Sequence, residues 1–209
     1  MRSPRILVAL SLLPWPLVGW ALYGLHNYWV ALLAYHAFCL GTYAWMGSGR
    51  VRLDRSLLLY LAAALLFLLP ALPVVGFFVD PERVRTVMGG FGFAPAHLPL
   101  FIAYFLLVHP FAEEAFWRGT IYDGLLPSLG APGAAVLSSC FFGAWHALVL
   151  APLLPSWWWL GVLGVSFFGL FMAAVYHRNR FQLMHCTVFH AVGGDLPLLL
   201  ILGSVVLAP

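Results

Sequence analysis

Long apolar runs, separated by short polar intervals, divide the chain into seven segments at about 5–25, 27–46, 56–78, 98–124, 132–151, 157–176 and 183–207. Each is close to the roughly 20 residues that a helix needs to cross the hydrocarbon core of a bilayer. The period-two alternation of a membrane barrel is absent, and an open sheet cannot span lipid because its edges leave peptide groups unpaired. The pattern predicts an all-α, polytopic transmembrane helical bundle of about seven (six to eight) spanning helices, forming one transmembrane domain over residues 1–209. Gly193, Gly194 and Pro197 interrupt the last segment, so a division there would give an eighth helix.

Composition supports this reading. Apolar residues make up 63% of the chain and charged residues 8%, against about 25% charged in a soluble domain. Too little polar surface is left to cover a water-exposed globule. Met1 to Leu13 begins like a signal peptide, but the apolar run continues through Pro14, Pro16 and Trp20 with no small-x-small cleavage site. It reads as the first membrane helix. The three cysteines, Cys39, Cys140 and Cys186, are far apart in apolar stretches and form no metal motif or disulfide framework.

All ten basic residues are arginines, and no run is dense enough to bind nucleic acid. Arg2 and Arg5, then Arg50, Arg52 and Arg55, then Arg178 and Arg180 fall on one side of the bundle. The positive-inside rule makes that side, with the N-terminus, cytoplasmic. On the opposite side, residues 79–97 offset Arg83 and Arg85 with Asp80 and Glu82. The glycines from Gly89 to Pro95 predict a long, mobile external loop there.

Ionisable side chains inside a membrane segment are costly and mark function. Glu113 and Glu114 lie within the fourth segment. Arg118 follows Glu114 by one helical turn and can pair with it. Glu113 points about 100° away, without a local partner of opposite charge, as suits a general base. His146 lies one turn after Phe142 in the fifth segment, beside the small residues Gly143 and Ala144. His190 lies inside the seventh. Counting about 1.5 Å per residue from the segment ends puts Glu113, His146 and His190 in one layer, in the cytoplasmic half to the midplane. His109, one turn before Glu113, reads as its supporting partner. His36 reads as an ordinary core histidine, and His26, His97 and His177 as loop residues.

The order Glu113-Glu114-x-x-x-Arg118, Phe142-x-x-x-His146 and a last-helix histidine resembles the CPBP (Abi, CAAX prenyl protease 2-like) family of intramembrane proteases. The similarity covers the catalytic-motif region, residues 98–195. It implies that Glu113 and His146 activate a water, that His190 stabilises the oxyanion, and that Glu114 and Arg118 brace the helix. This glutamate scheme needs no cofactor and is the favoured one; the alternative is a zinc ion held by Glu113, His146 and His190. The family pattern carries Asn or Asp four residues after its last histidine. Here that position is Gly194, with Asp195 one step out of register, so a backbone irregularity at the glycines would be needed to bring Asp195 inward.

The resemblance implies an endopeptidase acting near the C-terminus of a membrane-associated protein, either a prenylated CaaX-type tail or a bacterial C-terminal sorting helix. Its partners are then a membrane protein or lipidated peptide and the lipid bilayer. The all-arginine usage suggests a GC-rich bacterial genome and hence a bacterial inner (plasma) membrane. Two other classes keep the same residues. One is a non-catalytic membrane scaffold or immunity factor, which Gly194 favours. The other is a proton-coupled transporter, which the absence of internal repeats disfavours.

Overall fold

The computed structural model describes residues 3–207, and its regular structure is helical, with one isolated parallel bridge between Arg50 and Gln182. The helices are α1 Pro4–Gly24, α2 Tyr28–Met46, α3 Leu57–Phe78, α4 Pro81–Gly90, α5 Leu98–Leu107, α6 His109–Phe116, α7 Asp123–Trp145, α8 Ala147–Leu153, α9 Trp158–Arg178, α10 Leu183–Phe189 and α11 Leu196–Leu207. Two π-helical turns join neighbours without a break in the rod: Trp117–Tyr122 between α6 and α7, and His190–Asp195 between α10 and α11.

Among the described residues, five helical stretches are long and apolar enough to cross a membrane: Pro4–Gly24, Leu57–Phe78, Pro95–Trp145, Trp158–Arg178 and Leu183–Leu207. The 51-residue stretch holds two of the expected segments. Its helical path breaks at Gly130, where φ is +65°, a region open to a residue without Cβ. Of α3, only Ala64 is buried, and such a continuous apolar surface is stable in lipid and not in water. The protein is an integral membrane protein with an all-α fold.

Three local features depart from the sequence reading. The last segment does not divide, because the π turn absorbs the two glycines and the helix continues to Leu207. The expected loop at 79–97 contains α4, started by Asp80, whose carboxylate accepts from the Glu82 and Arg83 amides, with Pro81 in the first turn. Segment five bends at His146 and continues as the short α8. Arg2 lies outside the described residues.

The core forms around the α6–α7 rod. Trp117, Arg118, Tyr35, Tyr122, Phe116 and Phe142 are among the largest fully buried side chains. Glycine sets the tightest approach: a Cβ on Gly143 would fall 1.9 Å from Ser166 Oγ and 2.8 Å from the Val162 carbonyl oxygen. Helices α7 and α9 therefore pack backbone to backbone, as small residues permit in membranes.

Candidate active site

Helix α6 supplies the centre of the site. Pro110 stands at its start, after the α5 hydrogen-bond ladder ends at Val108, so His109 opens a new helix. His109, Glu113, Glu114, Arg118 and Trp117 then follow on one rod, all buried. Glu113 is 0% exposed. Its Oε1 accepts from the Tyr35 hydroxyl at 2.7 Å, and Tyr35 in turn accepts from Trp117 Nε1 at 3.0 Å. The indole N–H fixes the phenol's direction, so one carboxylate oxygen is held and the other is left to react.

Among the described residues, Glu113 Oε2 has no hydrogen-bond partner. It lies 3.6 Å from His109 Nε2 and 3.7 Å from His190 Nε2. Asp195 Oδ1 faces the same two nitrogens, at 3.7 Å from His109 and 3.6 Å from His190. The four atoms form a closed ring of alternating nitrogen and oxygen. Each edge is longer than the 2.7–3.2 Å of a direct N–H···O bond. The ring is spaced to share something at its centre, such as a water, an oxyanion or a cation.

The second nitrogens of both histidines are fixed from behind. His190 Nδ1 lies 2.7 Å from Glu114 Oε1, and a carboxylate there makes Nδ1 the protonated nitrogen. Glu114 also pairs through Oε2 with Arg118 Nε at 3.2 Å. Arg118 donates from Nη2 to the Gly169 carbonyl at 3.1 Å and stacks on the Phe142 ring at 4.7 Å. Three partners thus hold the predicted Glu114–Arg118 brace. His109 Nδ1 lies 2.9 Å from His36 Nε2, and His36 Nδ1 lies 2.6 Å from the Tyr104 hydroxyl.

The π turn answers the register problem. A π-helical turn closes i→i+5 rather than i→i+4. His190 and Asp195, five apart, therefore meet on one face as residues four apart would in an α-helix. Gly194 permits it: a Cβ there would meet the His190 ring at 3.2 Å and the Phe168 ring at 3.1 Å.

His146 stands apart from this cluster. Its Nδ1 bonds the Phe142 carbonyl at 2.7 Å, and its ring packs on Trp145, with centroids 4.1 Å apart. The Phe142 ring touches both histidines, at 4.9 Å from His146 and 6.2 Å from His190. Among the described residues no hydrogen bond or ion pair joins His146 to Glu113 or His190. The groups whose ligand atoms lie within 4.8 Å of one another are His36–His109–Glu113 and His109–His190–Asp195. The set Glu113–His146–His190 anticipated for zinc is not one of them.

The sequence reading missed Tyr35 and underrated His36. Both sit in the middle of the apolar helix α2, where a polar side chain is itself a signal. No curated protein and no solved structure matches the chain. Residues 95–193 match the family model described as type II CAAX prenyl endopeptidase Rce1-like. That stretch runs from the turn before α5 into the last π turn, and over it the chain is similar to the Rce1-like family.

Proposed function

We propose that the protein is an intramembrane endopeptidase that hydrolyses a peptide bond near the C-terminus of a membrane-associated protein, with Glu113 as the general base. One observation carries the reading: a fully buried carboxylate has one oxygen anchored by Tyr35 and the other facing the Nε2 atoms of His109 and His190. In the proposed cycle Glu113 Oε2 takes a proton from water, and the oxygen of that water attacks the peptide carbonyl. The His190 ring, oriented by Glu114, donates from Nε2 to the oxyanion when it carries its second proton. Glu113 then returns its proton to the departing amine. His146, with Nδ1 spent on Phe142, has Nε2 free to face the substrate side. His109 and Asp195 complete the ring around the reacting water. The arginine-rich face, with the N-terminus, is assigned to the cytoplasm.

A second reading has a specific observation behind it. Two imidazole and two carboxylate donors with separations of 3.6–3.7 Å suit a divalent cation such as zinc. Both histidines also bond outward through their other nitrogen, as metal-bound imidazoles do. His109, His190, Glu113 and Asp195 would hold the ion, which would polarise the carbonyl and acidify the water.

The test uses purified protein in liposomes with membrane proteins from its own host, with cleavage products sequenced at their new C-termini. Specific C-terminal cleavage that persists after exhaustive chelation supports the glutamate reading. Cleavage lost on chelation and restored by zinc transfers the chemistry to the metal. If the intact, folded protein cleaves nothing, the scaffold reading replaces both.

A further inference from the structure

The polar interval between α2 and α3 and the one between α9 and α10 are far apart in sequence, yet they lie together at one end of the bundle. The Arg50 amide donates to the Phe181 carbonyl and the Leu183 amide donates to the Arg50 carbonyl, both at 2.8 Å. This short bridge stitches two modest basic stretches into one. Around it opens a recess of about 290 Å³ lined by Arg50, Arg52, Arg178, Arg180, Gln182 and His185. None of these four guanidinium groups has a hydrogen bond or ion pair among the described residues. The one carboxylate in the recess, Asp54, is engaged on its rim by non-arginine partners: it accepts from the Ser56 hydroxyl and lies 3.5 Å from His185 Nε2. The Ser56 hydrogen bond, with the His185 ring behind it, holds Asp54 below the usual carboxylate range, so it stays ionised. Four cations against one anion leave the recess strongly positive. Gln182, 8% exposed, also keeps a buried Oε1 without a partner among the described residues.

We infer that this recess binds the headgroup of an anionic phospholipid, with the guanidiniums gripping the phosphodiester and Gln182 Oε1 accepting a headgroup hydroxyl. Guanidinium forks match phosphate oxygens in pairs, and basic pockets between membrane helices suit such headgroups. The source is lipid rather than a soluble phosphate because Arg50-Val51-Arg52-Leu53 alternates cations with apolar side chains. Val51 and Leu53 are 53% and 78% exposed, beside an α3 whose surface is almost wholly apolar. Those side chains reach the acyl layer while their neighbours meet the phosphate. His185 lines the recess from the first turn of α10, the rod that carries His190 further along, so an occupant would brace the start of that rod. The inference stands on the fold alone and does not depend on the proteolytic reading.

The test measures binding of labelled phosphatidylglycerol and phosphatidylcholine to the purified full chain, with folding monitored by circular dichroism. Wild type should prefer phosphatidylglycerol by about tenfold or more. The Arg178→Gln/Arg180→Gln variant should lose that preference, whereas Arg178→Lys/Arg180→Lys keeps part of it. Arg5→Gln, on the same face but outside the recess, should keep it in full. Equal loss in Arg5→Gln would reduce the effect to surface charge and overturn the site. Displacement of the lipid by inorganic phosphate or glycerol 1-phosphate at millimolar concentration would overturn the lipid assignment. Absence of any preference in folded wild type would overturn both.

Discussion

Glu114 and Glu113 are adjacent and differ by one turn of partners, and that difference decides what each can do. Glu114 hydrogen-bonds His190 Nδ1 through Oε1, and its Oε2 is neutralised by the ion pair with Arg118 Nε at 3.2 Å. Removing Arg118 would strand a buried carboxylate, so Arg118→Ala should cost about 3–5 kcal/mol of stability. Detergent thermal melts of the variant check this, and an unchanged melting temperature would refute the bracing role. Arg118→Lys should not restore stability, because the planar fork also serves Gly169 and Phe142. Tyr35→Phe removes the anchor of Glu113 Oε1 and should lower kcat by roughly tenfold with KM little changed. A fall in KM-dependent terms alone would place Tyr35 in substrate binding. The Glu114–Arg118 pair was legible from spacing because both ends lie on one helix. Tyr35 and His36 were not, since their partners on α5–α6 lie 68 to 78 positions away.

The π turn at His190–Asp195 shows why helix spacing alone misleads here. A strict α register puts Gly194 over His190 and turns Asp195 away, which weakens the case for a complete site. The extra residue in the π turn brings Asp195 Oδ1 to 3.6 Å from His190 Nε2. Inserting one alanine after Gly194 should therefore displace Asp195 and reduce activity as much as Asp195→Ala does. Deleting Gly194 should instead keep the pair on one α-helical face. Rates for the three folded variants, measured side by side, test the idea, and an insertion variant with full activity would contradict it. Helix α4 illustrates the opposite failure: Asp80-Pro81-Glu82 is a helix start signal in plain view, but the following glycines drew the reading toward a loop. The long spans themselves were legible, because lipid enforces length and apolarity more strictly than water does.

The bundle as a whole turns dispersed residues into two sites at different depths. The buried ring of Glu113, His109, His190 and Asp195 lies mid-bundle, and the four-arginine recess lies at one end. The positive-inside rule predicts that this end faces the cytoplasm. A membrane-impermeant thiol reagent on intact cells should therefore label Ala94→Cys but reach Arg52→Cys only after lysis. The reverse pattern would invert the orientation. Neither site was visible in any one segment: the recess needs the Arg50–Gln182 bridge, and the ring needs α2, α6 and the last rod packed together. Proteolysis is the central claim, and it rests on one oxygen atom of Glu113. The most direct measurement is the cleavage rate of Glu113→Gln against wild type in the same liposomes, with both proteins shown to be folded. Gln keeps the shape and the Tyr35 hydrogen bond but cannot accept the water's proton, so the rate should fall by roughly a hundredfold or more. A Glu113→Gln protein that cleaves as fast as wild type would contradict the account.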